Sequence, residues 1–244
     1  MMITTVTLLR YVGAGGRYRA FANMGRWLLR PFRAEGLRFQ KMMGSGQNFG
    51  LVPDLSTYVF LGVWQDEASA RRFFATDAWQ KATDGVRQTG TLWLEPTTAQ
   101  GRWDGQNPFG GAGQVPNRTA DEGQRGPVAV LTRATIRTGA LLDFWRNVPQ
   151  ARRRLTDHKD DLLLALGVGE KPVVQQCTIS VWRDASAVNQ FAYRQSGHRE
   201  IVKMTRQRQW YSEELFARFR VLAAEGELVQ DVANRLITRP LTQF

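Results

Sequence analysis

Few residues in this chain of 244 are able to do chemistry. There are two histidines and one cysteine, so two-histidine metal sites, metalloprotease helices and cysteine-held zinc are poorly served. His158 stands in Thr156-Asp157-His158-Lys159-Asp160-Asp161, a charged stretch that reads as a solvated loop. His198 is different, because it follows Gly197 at the start of a helical stretch. There the positive end of the helix dipole disfavours imidazolium and leaves the ring neutral, able to ligate a metal or haem iron; a capping or packed histidine is the plainer alternative. Trp210, Tyr211, Leu215 and Phe216 follow in sequence and are placed to line whatever His198 faces. Cys177 lies in the apolar run from Val173 to Trp182 and reads as packing.

Other chemistries find no support. Gly13-Ala14-Gly15-Gly16 lacks the spacing and acidic partner of a dinucleotide site and reads as a turn. Gly44-Ser45-Gly46 has no Lys-Ser/Thr companion for a nucleotide, and no Gly-x-Ser-x-Gly elbow occurs. With 33 Lys+Arg against 22 Asp+Glu the net charge is +11, which attracts polyanions. The arginines are scattered through both halves, the densest group being Arg152, Arg153 and Arg154, a pattern of solvated faces rather than of a nucleic-acid strip. The absence of an apolar run of about 18 residues argues against a membrane span. Arg10 interrupts the first apolar run where a signal peptide would need it. The expected location is the cytoplasm, and the single cysteine rules out an intrachain disulfide.

The elements that must position these residues come as a repeat. Tyr58-Val-Phe-Leu-Gly-Val-Trp64-Gln-Asp66-Glu-Ala-Ser-Ala and Cys177-Thr-Ile-Ser-Val-Trp182-Arg-Asp184-Ala-Ser-Ala share their order of apolar strand, Val-Trp, Asp and Ser-Ala helix. Asp66 and Asp184 read as helix N-caps, and Trp64 and Trp182 as equivalent core residues. Each half opens with a β-branched strand, Ile3 to Tyr11 and Val128 to Ile136. A helix follows, with Phe21, Met24 and Leu28 stopped by Pro31 in one half, and Leu141, Trp145 and Val148 stopped by Pro149 in the other. Further strands fall near Leu37 to Met43, Leu162 to Leu166, Thr91 to Leu94 and Ala217 to Glu225, with helices near Trp79 to Gln88 and His198 to Arg208.

The expected fold is α+β: two tandem ferredoxin-like repeats, residues 1–100 and 128–227, closing into a pseudo-twofold unit of the dimeric α+β barrel type. A Gly/Pro-rich linker, 101–127, joins them, and 228–244 is a tail.

Several segments resemble the spheroidene monooxygenase (carotenoid ketolase) family. They are Lys41-Met-Met-Gly-Ser-Gly46, Gly101-Arg-Trp-Asp-Gly-Gln-Asn-Pro-Phe109, the Trp-x-Asp turns and, most specifically, His198 to Leu222 with its Trp210 to Arg220 block. The resemblance runs from about Val6 to Glu227 and implies a haem b-dependent monooxygenase. In that reading His198 is the axial iron ligand, Arg194 and Arg199 pair with the propionates, and Trp210 and Tyr211 line the cofactor. The implied substrate is an acyclic carotenoid or a similar hydrophobic molecule, oxidised to a keto product with molecular oxygen and an electron donor. The basic surface then suits peripheral contact with an anionic inner membrane. The rival readings are a cofactor-free barrel binding a hydrophobic ligand, and a haem enzyme with a smaller substrate.

Overall fold

The computed structural model describes residues 1–47, 52–110, 126–156, 160–171, 173–191, 205 and 207–237. The first repeat supplies β1 (Ile3–Tyr11), α1 (Gly13–Leu29), β2 (Leu37–Gly46), β3 (Pro53–Trp64), α2 (Glu67–Phe74), α3 (Asp77–Ala82) and β4 (Val86–Gly101). The second supplies β5 (Val128–Ile136), α4 (Leu141–Thr156), β6 (Leu162–Gly169), β7 (Gln175–Trp182), α5 (Ala185–Asn189) and β8 (Tyr211–Glu225), and α6 (Gln230–Ile237) follows. All strand pairings are antiparallel, and their order β1-β3-β2-β6-β7-β5-β8-β4 closes a barrel. Each repeat therefore contributes a ferredoxin-like sheet, and the two join at the β2–β6 and β4–β8 seams.

Alternation along each strand decides what goes inside. Val6 and Leu8 of β1, Val59, Leu61 and Val63 of β3, Leu131 of β5 and Ile179 and Val181 of β7 point into the barrel and form one apolar core. Ile3, Leu9 and Tyr11 of β1 and Phe60 and Trp64 of β3 face outward, under the helices. The two caps form as the sequence predicts: Asp66 accepts from the Ser69 amide at 2.8 Å and Asp184 from the Ala187 amide at 2.9 Å. The paired tryptophans also hold equivalent seats. The Trp64 indole donates to the Thr5 hydroxyl and the Trp182 indole to the Ser180 hydroxyl, each at 2.9 Å. Where the second repeat has Val130 in place of Thr5 it has Ser180 in place of Gly62, so the acceptor has moved across the strand pair.

Four local expectations change. The helical period of α1 is out of phase with Phe21, which is 65% exposed; Ala20, Asn23 and Trp27 face the sheet, with the Asn23 amide donating to the Ala82 carbonyl. Gly13 to Gly16 form the first turn of that helix rather than a turn ahead of it. Pro149 lies inside α4 rather than ending it. The helix expected near Trp79 to Gln88 ends at Ala82, and the strand near Thr91 to Leu94 extends from Val86 to Gly101.

The segments after β4 and β8 close the two barrel mouths. Residues 102–110, which composition assigns to a linker, insert Trp103 and Phe109 as fully buried side chains. Asp104 and Gly105 turn there at φ 52 and 80, and at Gly101 (φ 92) any Cβ would meet the Glu214 carbonyl oxygen at 2.2 Å. At the other mouth the turn after β8 and α6, expected as part of a tail, bring Val229 and Val232 into the same core, with Leu228 and Leu236 packed against it.

Candidate functional site: the outer face of the second sheet

The register lets the two outer sheet faces be compared residue by residue. Thr7 pairs with Phe60 and Thr91 as Thr132 pairs with Thr178 and Phe216. From that anchor, Leu9 corresponds to Ala134, Tyr58 to Gln176, Phe60 to Thr178, Gln40 to Ala165 and Met42 to Gly167. The first face is filled by Tyr11, Trp27, Phe32, Phe60, Trp64, Phe73, Trp79 and Trp93, whose rings meet edge-on or tilted. On the second, Leu9, Gln40, Met42 and Phe60 are replaced by Ala134, Ala165, Gly167 and Thr178, while Trp182 keeps the place of Trp64 and Gln176 stands for Tyr58.

Solvent exposure follows. Thr7 is buried, whereas Thr132, at the equivalent position in the middle of a strand flanked on both sides, is exposed. A central strand position open to solvent, between the parts of the strand that α5 and α4 cover, is a candidate place for a ligand. No charged side chain of β5, β6 or β7 stands on this floor; Arg218 of β8 is at its edge, where Trp93 stands in the first repeat, and donates to Asn189 at 3.2 Å. The floor thus suits a flat or elongated apolar group, with Arg218 and, opposite Ala134, Glu214 as charged residues along the β8 margin.

The first face keeps a remnant of the same space. A recess of about 240 Å³ is lined by Thr7, Leu9, Trp79, Thr91 and Trp93. Its rim is Arg71, which lies 4.3 Å over the Trp93 ring and pairs with Glu67 at 2.7 Å and Glu225 at 3.2 Å.

Of the residues singled out from sequence, His198, Arg194, Arg199 and His158 lie outside the described residues. Trp210 is buried against Ile136 and Phe144, and its indole donates to Asp143 Oδ2 at 2.7 Å. Arg208 donates to the other oxygen at 2.6 Å, and these two bonds hold the Asp143 carboxyl below its usual range. Tyr211 packs on the same group, 6.0 Å from the Phe144 ring, and burial raises its hydroxyl to about 12. Trp210 therefore ties the start of β8 to α4. Cys177 is an interior barrel residue whose thiol is pushed up by burial, as packing requires. Among the described residues no group of three His, Cys, Asp or Glu is gathered for a metal, and no helix is long and apolar enough to cross a membrane.

The floor residues Thr132, Ala134, Ala165, Gly167 and Thr178 went unremarked in sequence because each is small and unremarkable by type. Their signal was positional: the repeat sets Phe60 against Thr178 in the very strands whose likeness reveals it.

Fold and site together define a tandem α+β barrel whose two helix-side faces differ in the bulk of their side chains. Aldoxime dehydratase has the same fold, with a TM-score of 0.59 over 90% of this chain and 81% of that one at 10% identity. No family model matches the sequence. Spheroidene monooxygenase of Rhodobacter capsulatus is 31% identical over 98% of this chain and 99% of its own length. The enzyme of the same name from Cereibacter sphaeroides is 38% identical over 83% of this chain, which spans 62% of that protein. That from Rubrivivax gelatinosus is 33% identical over 78% of this chain and 71% of its own length. The chain belongs to the spheroidene monooxygenase family.

Proposed function

We propose that the protein is a haem-dependent monooxygenase that oxidises an acyclic carotenoid or a similar hydrophobic substrate to a keto product, using molecular oxygen and an electron donor. The observation that carries this reading is the cut-back floor of the second sheet, where Ala134, Gly167 and Thr178 stand in place of Leu9, Met42 and Phe60. A bulky planar group fits above such a floor and would collide with its counterpart in the first repeat. By family resemblance His198 would hold the haem iron, and Arg194 and Arg199 would pair with the propionates. When bound, the haem supplies the oxygen-activating chemistry. The chain's own part is to keep that chamber apolar, to exclude water from it, and to hold the substrate carbon against the reactive centre.

The test is the absorption spectrum of purified protein supplied with haem. Wild type should show a Soret band and His198→Ala should lose it. The A134L/T178F double substitution, which restores the first repeat's bulk, should lose it while the protein stays folded. Protein that remains colourless would move the assignment to a cofactor-free chamber for a hydrophobic ligand. Product analysis with an acyclic carotenoid then separates that substrate from smaller ones.

A further inference from the structure

Helix α1 turns an apolar stripe to solvent. Tyr18 is 77%, Phe21 65% and Leu29 84% exposed. Tyr18, Ala22, Gly25 and Leu29 follow steps of four, three and four residues along one helical face, with Phe21 beside them. Ala20 and Trp27, on the opposite side, are buried against the sheet. Isolated exposed apolar residues need no explanation, but an aligned aromatic and aliphatic row does.

The charge around the stripe is of one sign. The chain carries Arg10, Arg17, Arg19, Arg26, Arg30 and Arg33 before its first acidic residue, Glu35. On the helix, Arg17 flanks one edge of the stripe and Arg26 the other, as turns of about 100° per residue place them, and Arg30 caps the C-terminal end. Arg19 pairs with Asp84 at 2.7 Å, whereas Arg17, Arg26 and Arg30 have no acidic partner among the described residues. The helix is also weakly supported from within. It contains Gly13, Gly15, Gly16 and Gly25, no side chain caps its start, and no acid lies in its first turn.

We propose that the outer face of α1 is a docking surface for an anionic lipid bilayer, with Tyr18, Phe21 and Leu29 entering the headgroup boundary and Arg17, Arg26 and Arg30 contacting lipid phosphates. Charge complementarity selects this occupant. A second copy of the chain would bring the same uncompensated arginines face to face, and an apolar protein partner would leave them unpaired. A basic helix with aromatic and aliphatic residues on one face is the form that lies in the plane of a bilayer interface. The inference rests on neither the haem nor the carotenoid assignment, and its readout is partitioning rather than activity.

The test uses the full chain and sedimentation with vesicles of phosphatidylcholine, with or without phosphatidylglycerol. Binding should need the anionic lipid and weaken with salt. The R17Q/R26Q/R30Q protein should bind on the order of a hundredfold more weakly, and Y18S/F21S/L29S about tenfold or more. Because Cys177 is fully buried, a fluorophore attached at Ala22→Cys reports on this face and one at Ser186→Cys on the helix layer of the other repeat. Only the Ala22 label should move to an apolar environment and be quenched by brominated lipid. Equal response of both labels, undiminished binding by either triple variant, or a stripe substitution that dissolves a dimer without changing vesicle binding would overturn the proposal.

Discussion

The two helix-side faces of the barrel share one backbone plan and differ in what they put on it. The first repeat builds an aromatic cluster between β1, β3 and α1 to α3; the second keeps the Trp, the cap and the strand register but removes the bulk. Duplication supplies the closed ring, and its shared interior lets the two outer faces carry different side chains. Aromatic packing is concentrated on the first repeat's face, and the second's central strands carry smaller side chains.

The largest expected effect tests that division directly. Phe60→Ala should destabilise the protein by about 3–5 kcal/mol, because the ring is buried among Phe32, Phe73 and Trp79. Thr178→Ala, the same position in the second repeat, should cost less than about 1 kcal/mol. Denaturant titration of both reads the difference, and equal losses would break the comparison.

The barrel mouths give the next largest contrast. One is stoppered by Trp103 and Phe109 under a net of charges: Lys41 with Glu170 at 2.7 Å and with Asp104, Arg133 with Glu213, and the Trp103 indole to Glu170 at 2.9 Å. The other is closed by aliphatic side chains of α6 and of the turn before it. In the register, Arg133 and Glu213 occupy the places of Leu8 and the residue next to Thr89, Gln88. Arg133→Leu alone should cost about 2–4 kcal/mol, since it leaves Glu213 without its buried cation. Adding Glu213→Gln should recover much of that loss. A double variant no better than the single one would show that the two mouths are not interchangeable in this way.

Of the two mouths, only the charged one should respond to acid. Burial alone would raise the Glu213 carboxyl, but the amides of Gly105 and Asp104 and the Arg133 guanidinium outweigh it and bring it below the usual glutamate range. A carboxyl depressed on folding contributes stability that is whole above its unfolded value of about 4.3 and is lost as pH falls through the lower folded value. Stability should therefore decline below that pH, and Glu213→Gln should flatten the decline.

The smallest effect belongs to the features both repeats share. Asp66→Ala and Asp184→Ala should each cost about 1 kcal/mol by removing one N-cap bond. Similar losses in thermal unfolding would confirm that the caps are equivalent; a large disparity would mark one helix as packed differently.

Strand order and caps were legible in the sequence because both are local. Val-Trp-x-Asp ends a strand and starts a helix wherever it occurs, and repetition gave the pairing. The mouth segments were not legible. Gly101, Gly105 and Gly110 look like a linker until Trp103 is seen inside the barrel, and the burial of Val229 and Val232 depends on partners far away in sequence. Phe21 misled for a physical reason: aromatic residues usually seek the interior, whereas the close approach of α1 to the sheet admits Ala20 and holds Asn23 by a hydrogen bond. The family resemblance reached His198, but the floor of the site could be recognised only by aligning the two halves through their hydrogen-bonded partners.

The ring is fastened unevenly. Ten residue pairs, Thr91↔Glu225 to Gly101↔Leu215, join the repeats along β4 and β8, whereas Gly44↔Gly169 and Ser45↔Val168 are the two that join β2 to β6. In mechanical terms the barrel is a clasp with a long hinge and a short catch. Warming should spring the catch before the hinge, and the amide protons of Ser45 and Val168 should trade for deuterium well ahead of those along β8.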